Sequence, residues 1–313
     1  AVGFAGFLFF GLASMKVIRK ILPYFAIFTV ILCILCFIPG VAAEKLDGGK
    51  INGARRWIKM PFNFTFQPSE LAKFAIVLFL ANFFDKQKDI ENPEEKSVLQ
   101  GVIGLTLVTL IVYFQKDLST SAFIFCIGIL MFLATGTKLS WFGLASPLIM
   151  ALIILSIVTS QYRLERILGY IHPTTETQSL NFQANNAVRA ISSGGLLGTG
   201  IGMDMVKFRS VPEVKNDYIF AGWVEAFGFI GVLAYMGLLF FFAWKGFKIC
   251  KNTGNRFAAY ASFGCVLSIV VQSLLNIAVV CHLIPSTGIP LPFFSMGGSS
   301  IIVTLMMCGF VLN

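Results

Sequence analysis

Three short stretches carry residues whose types and spacing could do chemistry. In VPEVKNDYIFAGWVEAFGF, residues 211–229, Asp217 stands where a polar run turns apolar, and Glu225 follows inside the apolar run. On a helix starting at Asp217, Glu225 lies about 12 Å deeper and about 80° round the axis, broadly on the same side. An Asp ahead of an apolar helix is a preferred N-cap. A carboxylate at such a boundary can also act as a general base, and the two roles are compatible. In QPSELAKF, Pro68 suits a helix start, and Glu70 and Lys73 fall three residues apart on one face. They can pair, or Glu70 can simply favour the helix dipole while Lys73 neutralises it. Charges inside an apolar span cost roughly 2.5–3.5 kcal/mol each, so such a pair is a functional candidate. In FQKDLSTS, Lys116 and Asp117 mark a polar break that turn chemistry alone would explain.

What is missing narrows the chemistry. His172 and His282 are the only histidines, and neither stands in a Ser- or Cys-nucleophile motif. Cys33 and Cys36, two of seven cysteines, sit in an apolar run without His or carboxylate neighbours and read as small core residues. Triad hydrolysis and zinc catalysis are poorly supported; a carboxylate mechanism with Lys and Arg holding an anion remains.

The elements that must position these residues are membrane helices. Of 313 residues 57% are hydrophobic and only 12% charged, and the mean hydropathy of +0.82 lies outside the range of soluble domains. Apolar runs able to cross about 30 Å of hydrocarbon fall near 1–15, 19–43, 69–84, 98–114, 119–136, 141–160, 218–244, 256–281 and 292–312. The expected fold is therefore all-α: a polytopic helical bundle of nine spans forming one transmembrane domain over 1–313. Ala1 lies inside an apolar run, which predicts a trimmed chain and a tenth span in the full protein.

Alternating the spans puts Lys16, Arg19, Lys20, Lys86, Lys88, Lys96, Lys138, Lys245, Lys248, Lys251 and Arg256 on one side, the cytoplasmic one by the positive-inside rule. The other side is equally basic once the long loop 161–217 is counted. An anionic ligand outside the membrane would explain that, as would headgroup contact or plain solvation. Nucleic acid is not an expected partner, because the basic residues fall in short interhelical loops instead of one stripe. The 161–217 loop is too long for a passive connection.

GARRW at 53–57, PSELAK at 68–73, VPEVKNDYIFA at 211–221 and PSTGIPLPFFSMGGSS at 285–300 stand in the order found in the FtsW/RodA/SpoVE (SEDS) family. The chain resembles that family over practically its whole length, from its second transmembrane helix to its tenth, and the GARRW form leans toward the division branch, FtsW. The resemblance implies a peptidoglycan glycosyltransferase of the bacterial plasma membrane. Its site faces outside, and it polymerises lipid II onto a glycan held on undecaprenyl pyrophosphate. It places the catalytic carboxylate on Asp217, which would accept the proton of the acceptor 4-hydroxyl as that oxygen attacks the anomeric carbon with inversion. It assigns substrate binding to Glu70, Lys73, Arg55, Arg56, Lys116, Asp117, Glu213 and Ser299. No cofactor is certain; a divalent cation, Mg or Mn, could share the pyrophosphate charge. The implied partners are a class B penicillin-binding protein, a single-span transpeptidase, and other divisome or elongasome membrane proteins. The sequence departs from the family pattern at Lys215-Asn216, commonly His-Thr, and at Glu225-Ala226, usually Glu-Glu. Thr287 stands where lysine is frequent, a loss that Lys207, Arg209 or Lys215 could make good. A lipid II flippase, or an O-antigen-type ligase or polymerase, would need similar ingredients.

Overall fold

The computed structural model describes residues 1–38, 56–60, 65–87, 95–136, 154–171, 180–200 and 217–313, with single positions 143, 147, 150 and 151. Arg55, Glu213, Lys207, Arg209, Lys215 and His172 lie outside the described residues, as do nine of the twenty positions of the expected span 141–160. The chain forms two compact units, residues 1–151, 245–269 and 298–313 in the first and 152–244 and 270–297 in the second.

The first unit holds α1 (Val2–Leu12), α2 (Met15–Leu35), a hairpin of β1 (Ile58–Lys59) and β2 (Thr65–Phe66), α3 (Pro68–Gln87), α4 (Glu95–Phe114), α5 (Leu118–Ala134) and α10 (Gly298–Leu312). The hairpin is antiparallel, pairing Ile58 with Phe66 and Lys59 with Thr65. At its centre is α3, buried on every side along most of its length and packed against α2, α4, α5 and α10. A helix apolar all round belongs in a core, and PSELAKFAIVLFLANFF meets that condition apart from its first turns. Phe74 anchors the packing, its ring 4.9 Å from Phe10 and 6.4 Å from Phe310 in edge-on geometry. At the far end of α3, Asp85 pairs with both Arg19 of α2 and Arg256. Lys16, Arg19 and Lys20 sit within α2, which starts four residues earlier than the hydropathy suggested.

The second unit holds α6 (Gln161–Ile171), α7 (Leu180–Gly194), the first part of α8 (Ile219–Asn252), the end of α9 (Arg256–Val280) and the segment leading to Gly297. Its core gathers Tyr218, Phe220, Ala221, Val224, Tyr235, Val279, Val280 and Leu291 with Ala187 and Ala190 of α7.

The run expected as one span at 218–244 is broken. At Gly228 the backbone takes φ 61°, ψ −157°, a region essentially closed to other residues. The helical hydrogen bonds lost there are replaced by the glycine-rich segment 194–200. Phe229 N–H donates to Gly195 O (3.0 Å) and Ile230 N–H to Leu196 O (3.2 Å), while Glu225 O accepts from Thr199 N–H (2.9 Å) and Ala226 O from Gly200 N–H (3.1 Å). Such substitution is what permits irregular backbone within a membrane protein. The contact is too close for side chains: a Cβ on Gly198 would lie 2.2 Å from Ala226 O, and one on Gly228 2.4 Å from Gly198 N. Residues 219–227 are accordingly enclosed or partly enclosed by protein, whereas Phe229, Ile230 and Leu233 beyond the break are exposed.

Among the described residues α2, α8 and α9 are long and apolar enough to cross a bilayer; α1, α5, α10 and the stretch Val98–Phe114 are apolar but shorter. The α10 helix begins at Gly298, six residues later than its apolar run, because Pro292 and Phe293, the latter at φ 67°, form a turn first.

Candidate active site

In the first unit, Pro68 opens α3 and puts Glu70 and Lys73 on one face, as the three-residue spacing predicts. The Lys73 Nζ lies 2.7 Å from Glu70 Oε2 with the side chains only 4% and 3% exposed, and 5.2 Å from the centre of the Phe123 ring. Two charges so placed neutralise each other inside the unit, and the ring face adds favourable potential for the cation.

Asp117 is the hub of a second cluster. It caps α5, its Oδ1 accepting from Thr120 N–H (3.3 Å), and its Oδ2 accepts from Gln67 Nε2 (2.9 Å) and Ser69 Oγ (3.2 Å). The Arg56 guanidinium stands 3.9 Å from Oδ1 and donates to Lys116 O (2.7 Å). Lys116 itself takes φ 63° and its side chain is exposed. Ser299, at the start of α10, accepts from the Gln67 N–H (2.9 Å). Four residues named from the sequence, Arg56, Lys116, Asp117 and Ser299, thus meet around Gln67 and Ser69. Sequence reasoning passed over those two although they flank Pro68.

In the second unit, α8 begins at Ile219, so Asp217 lies in the turn just ahead of it, partly exposed. The mount is built from α9. Asn276 Nδ2 donates to both Asp217 O and Ile289 O, at 2.9 Å each, and Gln272 Nε2, one turn earlier, donates to Pro290 O (2.8 Å). From α6, Arg166 Nη1 donates to Ser286 O (3.2 Å) and Tyr170 Oη to Leu283 O (2.8 Å). Ser295 Oγ accepts from Leu291 N–H (2.7 Å). A loop with three prolines has few N–H groups to pair its own carbonyls, so side chains take that task. Gly288, exposed and at φ 74°, borders the carboxylate: a Cβ there would lie 3.6 Å from Asp217 Oδ2.

Glu225 is buried, as its place inside the apolar run predicts; it is 3% exposed, three residues ahead of the break. Gln272 and Asn276 were missed, although two amides four apart in the apolar run VVQSLLNIAVV lie on one helix face and ask for partners. Cys33 and Cys36 are buried, as expected of core residues.

Comparisons agree with this architecture. The FtsW/RodA/SpoVE family model, described as "Cell cycle protein", matches residues 1–313. The chain is 33% identical over 282 residues to the "Probable peptidoglycan glycosyltransferase FtsW" of Geobacter sulfurreducens, covering 90% of this chain and 74% of the relative. It is 34% identical over 284 residues to "Stage V sporulation protein E" of Bacillus subtilis, covering 90% and 75%. Among solved structures, a chain of a peptidoglycan synthase complex described as coordinating polymerization and crosslinking superposes with a TM-score of 0.74 at 25% identity, covering 99% of this chain and 85% of that one. The rod shape determining protein RodA of Thermus thermophilus gives 0.70 at 23%, covering 99% and 83%, a likeness of fold. With the family model spanning every residue and relatives aligned across nine-tenths of the chain, this multi-pass membrane protein belongs to the FtsW/RodA/SpoVE family.

Proposed function

We propose that the chain is a peptidoglycan glycosyltransferase that polymerises lipid II, inverting the anomeric centre, with undecaprenyl pyrophosphate as leaving group. The observation that carries this reading is the carboxylate of Asp217, partly exposed on a turn whose backbone is fixed and whose flank at Gly288 is open. A sugar hydroxyl is a weak nucleophile at neutral pH. A fixed carboxylate that accepts its proton in the transition state supplies typically 10²–10⁴-fold. The names of the relatives support an enzyme over a flippase.

Arg55, Arg56, Lys116, Glu213 and Ser299 are assigned to substrate binding, the cations to its anionic groups, where fixed positive charge is most effective. Asp117, Glu70 and Lys73 complete the substrate-binding set, and Asp117 also stands beside the Arg56 guanidinium. A divalent cation, Mg or Mn, would share the pyrophosphate charge. Among the described residues no three of His, Cys, Asp and Glu gather, whereas Mg²⁺ needs only one or two carboxylates beside substrate phosphates.

The chain forms one transmembrane domain of nine spans in the bacterial plasma membrane. The 161–217 loop and Asp217 face outside, and the role is in division. Its partner is a class B penicillin-binding protein, in keeping with the synthase complex among its structural neighbours. The test is reconstitution with that partner and labelled lipid II in liposomes. The expected product is a β-linked glycan that muramidase digests, with release of undecaprenyl pyrophosphate. Labelled lipid II crossing the bilayer with no polymer formed would overturn the assignment.

A further inference from the structure

Asn276 belongs to no motif and carries no charge, yet it is 1% exposed in a helix that is otherwise largely apolar, and it ties α9 to the Asp217 turn. Its amide nitrogen has two protons and spends both on backbone carbonyls, Asp217 O and Ile289 O, each 2.9 Å away. The orientation of the amide is fixed by this arrangement. Flipping it would set the side-chain oxygen against two carbonyl oxygens, all three acceptors. Among the described residues the amide oxygen has no hydrogen-bond partner, and the two carbonyl contacts hold the group.

The two carbonyls belong to the two segments that flank the carboxylate. One is the residue that carries it; the other adjoins Gly288, where an added Cβ would lie 3.6 Å from Oδ2. One side chain therefore ties the residue that carries the base to the edge beside it. Gln272 holds Pro290 O from the preceding turn of α9 and stiffens the same edge.

Resting on the reading of Asp217 as the base, we propose that Asn276 is a positioning residue for the transfer: it fixes the Asp217 carboxylate relative to the Gly288 edge and acts on rate, not on substrate affinity. A misplacement near 1 Å at a reacting group costs about 10²-fold. Loss of the amide donors is expected to lower kcat about 10- to 100-fold with KM for lipid II within about twofold.

The experiment compares Asn276→Asp and Asn276→Ala with the parental chain, each in complex with its transpeptidase partner. It measures kcat, KM and thermal unfolding, and an Asp217→Asn variant runs alongside. Asn276→Asp keeps the size but turns oxygens toward both carbonyls, whereas Asn276→Ala removes the donors without adding an acceptor, so the two variants report the loss by different routes. A fall in kcat alone, with KM and unfolding temperature near parental, is the expected result. Parental kcat in Asn276→Asp, or a joint loss of kcat, affinity and stability, would overturn the positioning role while leaving Asp217 as base. Parental activity in Asp217→Asn would instead remove the base reading itself, and the positioning role with it.

Discussion

Asp117 and Asp217 are both held by amide side chains, and the contrast between their settings separates support from chemistry. Asp117 spends its carboxylate oxygens on protein: a backbone N–H, Gln67 and Ser69, with Arg56 near, at 2% exposure. At Asp217 the Asn276 amide holds the backbone carbonyl, and the residue is partly exposed with its carboxylate beside a glycine. A carboxylate whose lone pairs serve the fold is a poor proton acceptor for a substrate. One whose backbone is pinned while its side chain reaches the surface is placed to accept one.

The strongest way to break this comparison is in the first unit. Removing one partner of a buried ion pair costs about 3–5 kcal/mol, while exchanging both for apolar residues is often neutral or stabilising. Glu70→Ala is therefore expected to lower the unfolding temperature in detergent sharply, and Glu70→Met with Lys73→Met to recover it. If the double variant is stable yet inactive, the pair serves substrate directly; if it is stable and active, the pair is support.

Next in size is the helix break. Gly228→Ala is expected to cost about 1–3 kcal/mol for a backbone region that alanine avoids, and the Cβ must also displace Gly198. Thermal unfolding against the parental chain measures it. An unchanged transition would mean that α8 is continuous.

A smaller effect sharpens the second region. Asn tolerates a positive φ better than Ala does. If only backbone strain matters at Gly288, Gly288→Asn should retain more activity than Gly288→Ala. The open edge beside Asp217 predicts the reverse order, with about a tenfold loss for Asn, because each 1.4 kcal/mol of lost transition-state contact is tenfold. Polymerisation rates of the two variants decide it. Least is expected of Lys116→Ala, an exposed cation: about 1 kcal/mol, seen as a rise in KM that high salt diminishes in the parent.

Legibility in the sequence followed the range of the interaction. The Glu70–Lys73 pair and the α3 start were readable because both follow from local helical spacing. Asp117 read as a turn residue, and it is one; its ties to Gln67 and Ser69 cross some fifty positions and leave no local trace. The break at Gly228 was hidden because VEAFGFIGVL reads as an unbroken apolar helix. The bonds that permit the break come from residues about thirty positions upstream. Asn276 was visible as a polar residue four after Gln272, but its partners are carbonyl groups, which every residue carries and no sequence pattern marks. The late start of α10 follows the same rule, since hydropathy cannot distinguish PFFSM as turn from PFFSM as helix.

The central claim, that Asp217 is the proton acceptor in glycosyl transfer, is tested most directly by single-turnover polymerisation with Asp217→Asn in complex with its partner. Asn keeps the shape, the turn and the Asn276 tie through the backbone, and removes only basicity. The account predicts a rate lower by about 10²–10⁴-fold with lipid II still bound and the unfolding temperature unchanged. Polymer formed at the parental rate would contradict it.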